Sequence, residues 1–167
     1  NYNSNNRKNQ GVGGFNLASR ASNSITKRWE FQVRETAIIG TTLVHEARLE
    51  LGGDTGSTTP LTNGTAINVL DSFFGGGGQN SSNDNNKRYE FGNLLIWSRP
   101  KLTLKTGVQG NYFRNHSVSY NNFVGTFTFS SLNDYLSGKP ATFSQNSGNP
   151  VLDSSQLQMA SFVQADW

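Results

Sequence analysis

Residues 89–115 decide the fold, and they read YEFGNLLIW, then SRPK, then LTLKTGVQGNYFRN. Across 102–112, apolar residues alternate with polar ones such as Lys105 and Gln109. Successive side chains on a strand point to opposite faces, so this arm is predicted to be a strand with one apolar and one polar face. Pro100 lies between the two arms, where its fixed φ suits a turn. The stretch therefore predicts an antiparallel hairpin.

Other segments are predicted to be strands on the same grounds. The clearest is 25–39, where Trp29, Phe31 and Val33 alternate with polar residues. A strand crosses a bilayer with about 9–11 tilted residues, and the longer segments reach that length. The predicted strands cover about 25–39, 43–52, 65–74, 88–97, 102–114 and 157–167.

The connections between these strands are of two kinds. Short turns are predicted at Gly40–Thr42 and Ser98–Lys101, and long polar loops at about 53–87 and 115–156. Outer-membrane barrels combine short periplasmic turns with long extracellular loops. The pattern therefore favours an all-β fold, an antiparallel transmembrane β-barrel segment of about five or six strands.

Smaller elements are predicted outside the main strands. Residues 1–10 are interpreted as the tip of a strand whose body lies upstream. Residues 124–129 are predicted to form a short strand. A short helix is predicted between Ser131, a good N-cap residue, and Gly138, a good helix stop.

Alternation also assigns side chains to the inside and the outside of the predicted barrel. Polar rows should face the lumen, and Trp or Tyr should lie where the barrel meets the membrane interface. The candidate lumen-facing residues are Arg28, Glu30, Arg34, Arg48, Glu50, Lys105, Gln109 and Asn111. The candidate membrane-interface aromatics are Trp29, Trp97, Tyr112 and Trp167.

Glu35 conflicts with this assignment, because strict alternation places it in the apolar row of segment 25–39. A carboxylate facing lipid is unfavourable. A β-bulge near Arg34 would shift the alternation and turn Glu35 inward. The sequence leaves the choice between these two arrangements open.

Composition supports β structure with polar loops. The chain has 18 Gly, 11 Phe, 5 Tyr and 3 Trp, and glycine is a poor helix former whereas aromatic residues favour strands. The absence of cysteine excludes disulfides, thiolate metal sites and cysteine nucleophiles. The net charge of +3 is small and its residues are scattered, so no nucleic-acid partner is predicted.

No catalytic, cofactor-binding or metal-binding residue is predicted, and the chain is expected not to be an enzyme. His45-Glu46 begins like a zinc motif, but the second His is missing and the segment is a predicted strand. The glycine runs at 11–14 and 75–78 lack the Lys-Ser/Thr of a phosphate-binding loop. No Gly-x-Ser-x-Gly motif of a hydrolase is present.

Two other classes of protein are consistent with the same strand pattern. A soluble or surface-exposed β-sandwich that acts as a binding or adhesion module also alternates, although strands of about 5–6 residues are more usual there. A passive outer-membrane barrel of the porin or autotransporter type would share the strand pattern and would have no plug.

Several segments, in the same order, resemble the barrel of TonB-dependent receptors, specifically the Oar-like receptors that carry a carboxypeptidase-regulatory-like domain. They cover most of the chain. The segments are NQGVGGFNL at 9–17, SRAS at 19–22, LVHEAR at 43–48, INVL at 67–70, KLTLKTG at 101–107, GTFTF at 125–129, YLSGKP at 135–140 and FVQADW at 162–167.

This resemblance implies a barrel of about twenty-two strands in the bacterial outer membrane, closed by a plug. It implies binding and import of a bulky, unidentified solute, with energy delivered by TonB through the plug, and contact with outer-membrane lipid. The chain begins at Asn1 without Met and ends at Trp167 within a predicted strand. We therefore expect an internal piece of the receptor barrel, residues 1–167, with the plug domain absent.

Overall fold

A computed structural model describes residues 1–167. The structure is almost entirely β, with one short α-helix and one short 3-10 helix. In chain order the strands are β1 Tyr2–Gln10, β2 Ser22–Ile39, β3 Leu43–Pro60, β4 Ala66–Val69, β5 Phe73–Gly76, β6 Ser82–Arg99, β7 Leu102–Ser119, β8 Thr126–Phe129, β9 Thr142–Ser144 and β10 Val151–Asp166. The 3-10 helix is Ala18–Arg20 and the α-helix, α1, is Leu132–Leu136.

Six long strands form one antiparallel sheet, which we call the wall. Its strand order is β1-β2-β3-β6-β7-β10, so strands that follow one another along the wall are also neighbours in the chain, apart from the loop strands. Short turns join β2 to β3 and β6 to β7. Gly40 forms part of the first turn with a φ of 64°, a conformation that glycine adopts without a steric penalty. The predicted all-β, antiparallel fold is confirmed.

The strand register gives the wall one apolar and one polar face. Directly paired residues of antiparallel strands project their side chains on the same side. One apolar row is Phe31, Leu51, Tyr89, Tyr112 and Leu157. The adjacent row on the other side is Gln32, Glu50, Glu90, Asn111 and Gln158. We call these two sides the apolar face and the polar face.

Exposure differs between the two faces. Within residues 87–91 of β6, the polar-face residues Arg88 and Glu90 are half-buried. Lys87, Tyr89 and Phe91, on the other face, are exposed. Crowding of one row and exposure of the other are expected of a sheet that curves toward its polar face.

Aromatic rings on the apolar face lie over glycines on neighbouring strands. Trp29 pairs directly with Gly53, and Phe91 pairs directly with Gly110. A Cβ added to Gly110 would lie 2.4 Å from the Phe91 ring, and one added to Gly53 would lie 2.8 Å from Nε1 of Trp29. The absence of a side chain at these positions is therefore what lets the rings lie flat against the wall.

The remaining strands form a second sheet, ordered β5-β4-β8-β9, in the long connections. We call this sheet, together with residues 11–21, 61–81 and 120–150, the loop cap. Strand β4 pairs parallel with β8, which joins the second long connection to the third. Asn16 bridges to Phe74 and so attaches the first connection. The buried apolar residues of the molecule, Ala21, Ala66, Val69 and Phe129, lie in this cap.

The predicted loop helix is present as α1. Ser131 is its N-cap, and its Oγ accepts a hydrogen bond from the Asp134 backbone N–H at 3.2 Å. The predicted single strand at 65–74 is wrong, because the chain reverses between Val69 and Phe73 and forms two strands, β4 and β5. The reversal occurs at Leu70–Ser72, where no Gly or Pro marked a turn.

The long strands extend further toward the cap than the alternation indicated. Strand β3 continues to Pro60 and β6 begins at Ser82, although 53–87 was predicted to be a loop. Strand β7 continues to Ser119 and β10 begins at Val151, although 115–156 was also predicted to be a loop. These extensions are mostly polar on both faces, so hydrogen bonding to the neighbouring strand defines them more than an apolar row does.

Of the two arrangements left open for Glu35, the structure has the one without a bulge near Arg34. The β2–β3 ladder runs without interruption from Ser22–Pro60 to Ile39–Leu43. Glu35 pairs with Ala47 and lies on the apolar face between Val33 and Ala37. None of the helices is long and apolar enough to span a membrane.

Candidate functional site

The polar face collects all of the residues predicted to face a lumen. Strand β2 contributes Arg28, Glu30 and Arg34, and β3 contributes Arg48 and Glu50. Strand β7 contributes Lys105, Gln109 and Asn111. The uninterrupted registers from β2 through β3 and β6 to β7 place these side chains on the same side of the wall. Whether this side faces a barrel lumen stays a prediction.

An ion cluster on the polar face involves residues that the sequence pattern missed. Arg88 on β6 contacts Glu50 on β3, and its Nε lies 3.3 Å from Oε1 of Glu90. Glu50 and Glu90 are direct cross-strand partners, and their like charges would repel. Arg88 forms an ion pair with each of them and so offsets this repulsion. Arg88 and Glu90 alternate with Tyr89 and Phe91 within the predicted strand 88–97, so the signal was present in the sequence but was not used.

Polar contacts continue along the same face toward both ends. Asn86 donates to Asp54 at 2.9 Å, and the Ser117 hydroxyl donates to Asp84 at 2.5 Å. At the other end, Nζ of Lys105 lies 3.3 Å from Oδ2 of Asp166. The face is therefore a hydrogen-bonding and charged surface along most of its length.

A hollow of about 410 Å³ lies at the middle of the wall. Its floor is made by the small residues Gly92, Gly107 and Ala160, which share two adjacent polar-face rows. Arg48 lies across Gly92, and the Phe162 ring lies across Gly107. The hollow thus combines guanidinium groups, amides and one aromatic ring, a set that suits contact with a polar solute or with another protein segment.

Aromatic residues mark two levels on the opposite, apolar face. Trp97 lies beside the Ser98–Lys101 turn, and the Arg99 guanidinium is 5.4 Å from its ring centroid. Trp29 and Tyr112 lie at the cap end of the apolar band. Trp167 follows β10 and is 96% exposed. Their role at a membrane interface stays a prediction.

Two tyrosines missed by the sequence analysis belong to the cap-end level. Tyr2 on β1 pairs with Trp29, and Tyr89 on β6 pairs with Tyr112, with 6.0 Å between the two ring centroids. Tyr89 was available in the predicted strand 88–97, but Tyr2 lay in a segment without an apolar row. Tyr2, Trp29, Tyr89 and Tyr112 thus lie in two neighbouring rows of the apolar face, and we call them the aromatic band.

The loop cap is fixed by contacts among the three long connections. Arg20 donates from Nη1 to the Gly77 carbonyl at 3.2 Å, and burial lowers the pKa of the Arg20 guanidinium. A Cβ on Gly77 would lie 2.2 Å from the Gly64 carbonyl oxygen, so the glycine run permits close backbone approach. Tyr135 packs edge-on against Phe73 and Phe129.

The potential metal-binding residues do not converge. The structure contains no group of three or more His, Asp or Glu side chains that could hold a metal ion. His45 lies on the apolar face of β3, and its Nε2 is 2.7 Å from Nδ2 of Asn93. Its neighbour Glu46 points to the opposite face, because successive strand residues alternate.

Comparison with known proteins identifies the family. No curated protein and no solved structure matches the chain. The family model described as an outer membrane beta barrel domain matches residues 1–167. The predicted location in the bacterial outer membrane is thereby confirmed. The chain belongs to the outer-membrane β-barrel domain family, and its six long antiparallel strands are barrel strands.

Proposed function

We propose that this chain forms part of the wall and extracellular cap of a TonB-energised receptor that binds a bulky solute and imports it. Solute recognition belongs to the loop cap and the polar face, and a plug outside residues 1–167 closes the lumen and contacts TonB. The protein is not an enzyme, uses no cofactor and has no nucleic-acid partner. Its lipid partner is the outer membrane.

The observation that carries the proposal is the folded loop cap. Three connections at one end of the wall pair with one another and bury Val69 and Ala66 completely. The opposite end has only short turns. A preformed extracellular surface gives a solute a rigid binding platform, and binding sites are commonly built on loops that a scaffold positions.

The polar face supports the same proposal. Charged and amide side chains on four strands offer contacts to a plug or to a passing solute, and the central hollow has a size in the range of small-ligand sites, about 300–1,000 Å³. In lipid, the apolar face provides the outer surface. The two faces therefore have the chemistry that a plugged import barrel requires.

The sheet edges support membership of a larger barrel. Strands β1 and β10 do not pair with each other, so each has one unpaired edge. Unpaired backbone groups are highly unfavourable in lipid, and the smallest membrane barrels have about eight strands. We therefore propose that further strands pair with both edges in the full-length protein.

The test uses the full-length protein in planar bilayers and in solution with the purified periplasmic domain of TonB. We expect no steady ion conductance, because the plug closes the lumen, and we expect specific binding to the TonB domain. A constantly open channel without TonB binding would contradict the proposal and favour a passive barrel.

A matched deletion separates solute binding from channel closure. Replacing 126–144 with a short Gly-Ser linker removes β8, α1 and β9 and leaves the wall strands intact. We expect the variant to bind the TonB domain like the wild type but to lose growth-supporting uptake. Unchanged uptake would show that the cap does not recognise the solute.

A further inference from the structure

A group of basic residues lies on the apolar face, at the cap side of the aromatic band. Lys87 on β6 and Arg114 on β7 are direct cross-strand partners, in the row next to Tyr89 and Tyr112 on the cap side. Lys27 on β2 lies one row further toward the cap. All three side chains are exposed. We call these three residues the basic cluster.

The basic cluster has no carboxylate partner. None of the ion pairs in the structure involves Lys27, Lys87 or Arg114. The acidic residue on this face near the cap is Asp153, and its Oδ1 lies 2.7 Å from Nδ1 of His116. Like charges placed directly opposite each other on two strands repel. The Lys87–Arg114 pair is therefore a place where a bound anion would remove an unfavourable interaction.

A second pair of opposed cations, on the polar face, provides a contrast. Arg34 and Arg48 are also direct partners. However, Glu46 and Glu50 lie two residues away from Arg48 on the same strand and the same face. Carboxylates of the protein itself thus flank that pair on its own strand. Beside the basic cluster, the nearest carboxylate in the register is that of Asp153, two residues from the Arg114 partner Ser155, and it pairs with His116.

The position of the basic cluster indicates the source of the anion. Tyr89 and Tyr112 lie directly below Lys87 and Arg114, and Trp29 occupies the same row as these two cations. Trp and Tyr side chains of membrane barrels lie at the headgroup level. The cap end carries the long connections, which are extracellular in outer-membrane barrels. The cluster therefore lies at the headgroup level of the outer leaflet.

We propose that Lys87 and Arg114, assisted by Lys27, bind the phosphate of a phosphorylated glycolipid in the outer leaflet. The Arg guanidinium matches two phosphate oxygens, and Lys supplies a mobile point charge. The tyrosine pair below would contact the sugar and the first carbons of the acyl chains. This proposal concerns the apolar face alone, so it stands whether or not TonB energises the barrel.

The experiment places the full-length protein in phosphatidylcholine nanodiscs that contain lipid A with both phosphates. Bound lipid A per protein is measured by native mass spectrometry after dilution into lipid-free detergent. We expect Lys87→Gln combined with Arg114→Gln to lower lipid A retention by about tenfold or more, since each headgroup-level cation strengthens binding to anionic lipid several-fold. Retention equal to the wild type would overturn the proposal.

The matched control removes the same charge at the other end of the wall. Arg99→Gln combined with Lys101→Gln changes the short turn, and lipid A retention should stay within about twofold of the wild type. Lys87→Arg keeps the charge and should retain lipid A like the wild type. If the turn variant loses as much lipid A as the cluster variant, the effect is one of net charge and the proposal fails.

Two further measurements, with dephosphorylated lipid A and with inorganic phosphate, identify the ligand. Lipid A from which the phosphates have been removed should be retained no better by the wild type than by the double variant. Inorganic phosphate alone should not raise the unfolding temperature of the detergent-solubilised protein. Retention of the dephosphorylated lipid, or stabilisation by free phosphate equal to that by lipid A, would overturn the proposal. If the double variant does not fold, the single variants Lys87→Gln and Arg114→Gln test the proposal. Each is expected to lower lipid A retention by about threefold.

Discussion

The wall and the loop cap use apolar side chains in opposite ways. Val69 in the cap is completely buried by neighbouring protein atoms, whereas Phe31 at the centre of the wall is 54% exposed. The cap therefore has a core of the kind found in water-soluble domains. The wall has none, and its apolar residues reach a suitable environment only in lipid. The two regions of one chain thus depend on two different solvents.

The largest expected effect comes from a charge in the core of the cap. Val69→Asp places a carboxylate where the valine has no exposed surface. We expect the cap to lose at least about 3 kcal/mol of stability, because a buried charge without a partner is strongly unfavourable. Limited proteolysis of the full-length protein in outer membranes should then cleave 61–81 and 120–150 rapidly.

The adjacent residue provides the control for this change. Leu70 is 58% exposed, so Leu70→Asp should leave the proteolysis pattern unchanged. The wall should keep its heat-modifiable mobility on gels in both variants. Loss of wall folding in Val69→Asp would show that the cap and the wall are a single cooperative unit and that the wall depends on the core of the cap.

A charge on the apolar face of the wall should have the next largest effect. Leu49→Arg, in the centre of that face, should lower the free energy of unfolding in lipid vesicles by about 2–4 kcal/mol. The matched variant is Gln32→Arg, which lies in the adjacent row on the polar face opposite Glu50. It should change stability by less than about 1 kcal/mol. Urea titration in vesicles measures both, and equal losses would contradict the assignment of the two faces.

The smallest expected effect is a gain in stability. Glu35 lies among apolar neighbours on the apolar face, so Glu35→Leu should stabilise the barrel in vesicles by up to about 1 kcal/mol. Glu30→Leu, on the polar face of the same strand, should give no gain. The same urea titration distinguishes them. A loss of stability in Glu35→Leu would mean that the carboxylate has a partner on this face.

The strand pattern predicted the two faces of the wall well, and it predicted the ends of the strands poorly. Where one face is apolar, as at 25–39, alternation alone assigned Trp29 and Arg28 to opposite sides. From Asp54 to Pro60 both faces are polar, and the prediction treated the segment as loop. A strand of this kind is held by the hydrogen-bond ladder to β2 and β6, which the sequence does not display.

Glu35 illustrates the same limit at a single residue. Alternation placed it on the apolar face, and the expected unfavourable interaction with lipid suggested a bulge. The register decides the matter, because eighteen-residue strands paired without a shift leave no room for an extra residue. The interaction of one side chain with lipid is smaller than the combined backbone hydrogen bonding of the two strands.

From the amino-acid sequence one can predict long antiparallel strands with one apolar and one polar face, joined by short turns at one end. This is so because alternation and turn chemistry are local properties of a strand and its neighbours. The folded chain was needed to reveal three features: how the loop cap assembles, how the Arg88 ion cluster forms, and that Lys87 lies directly opposite Arg114. Each of these depends on pairing between residues far apart in the chain, as in the parallel contact of β4 with β8, and no local pattern records it.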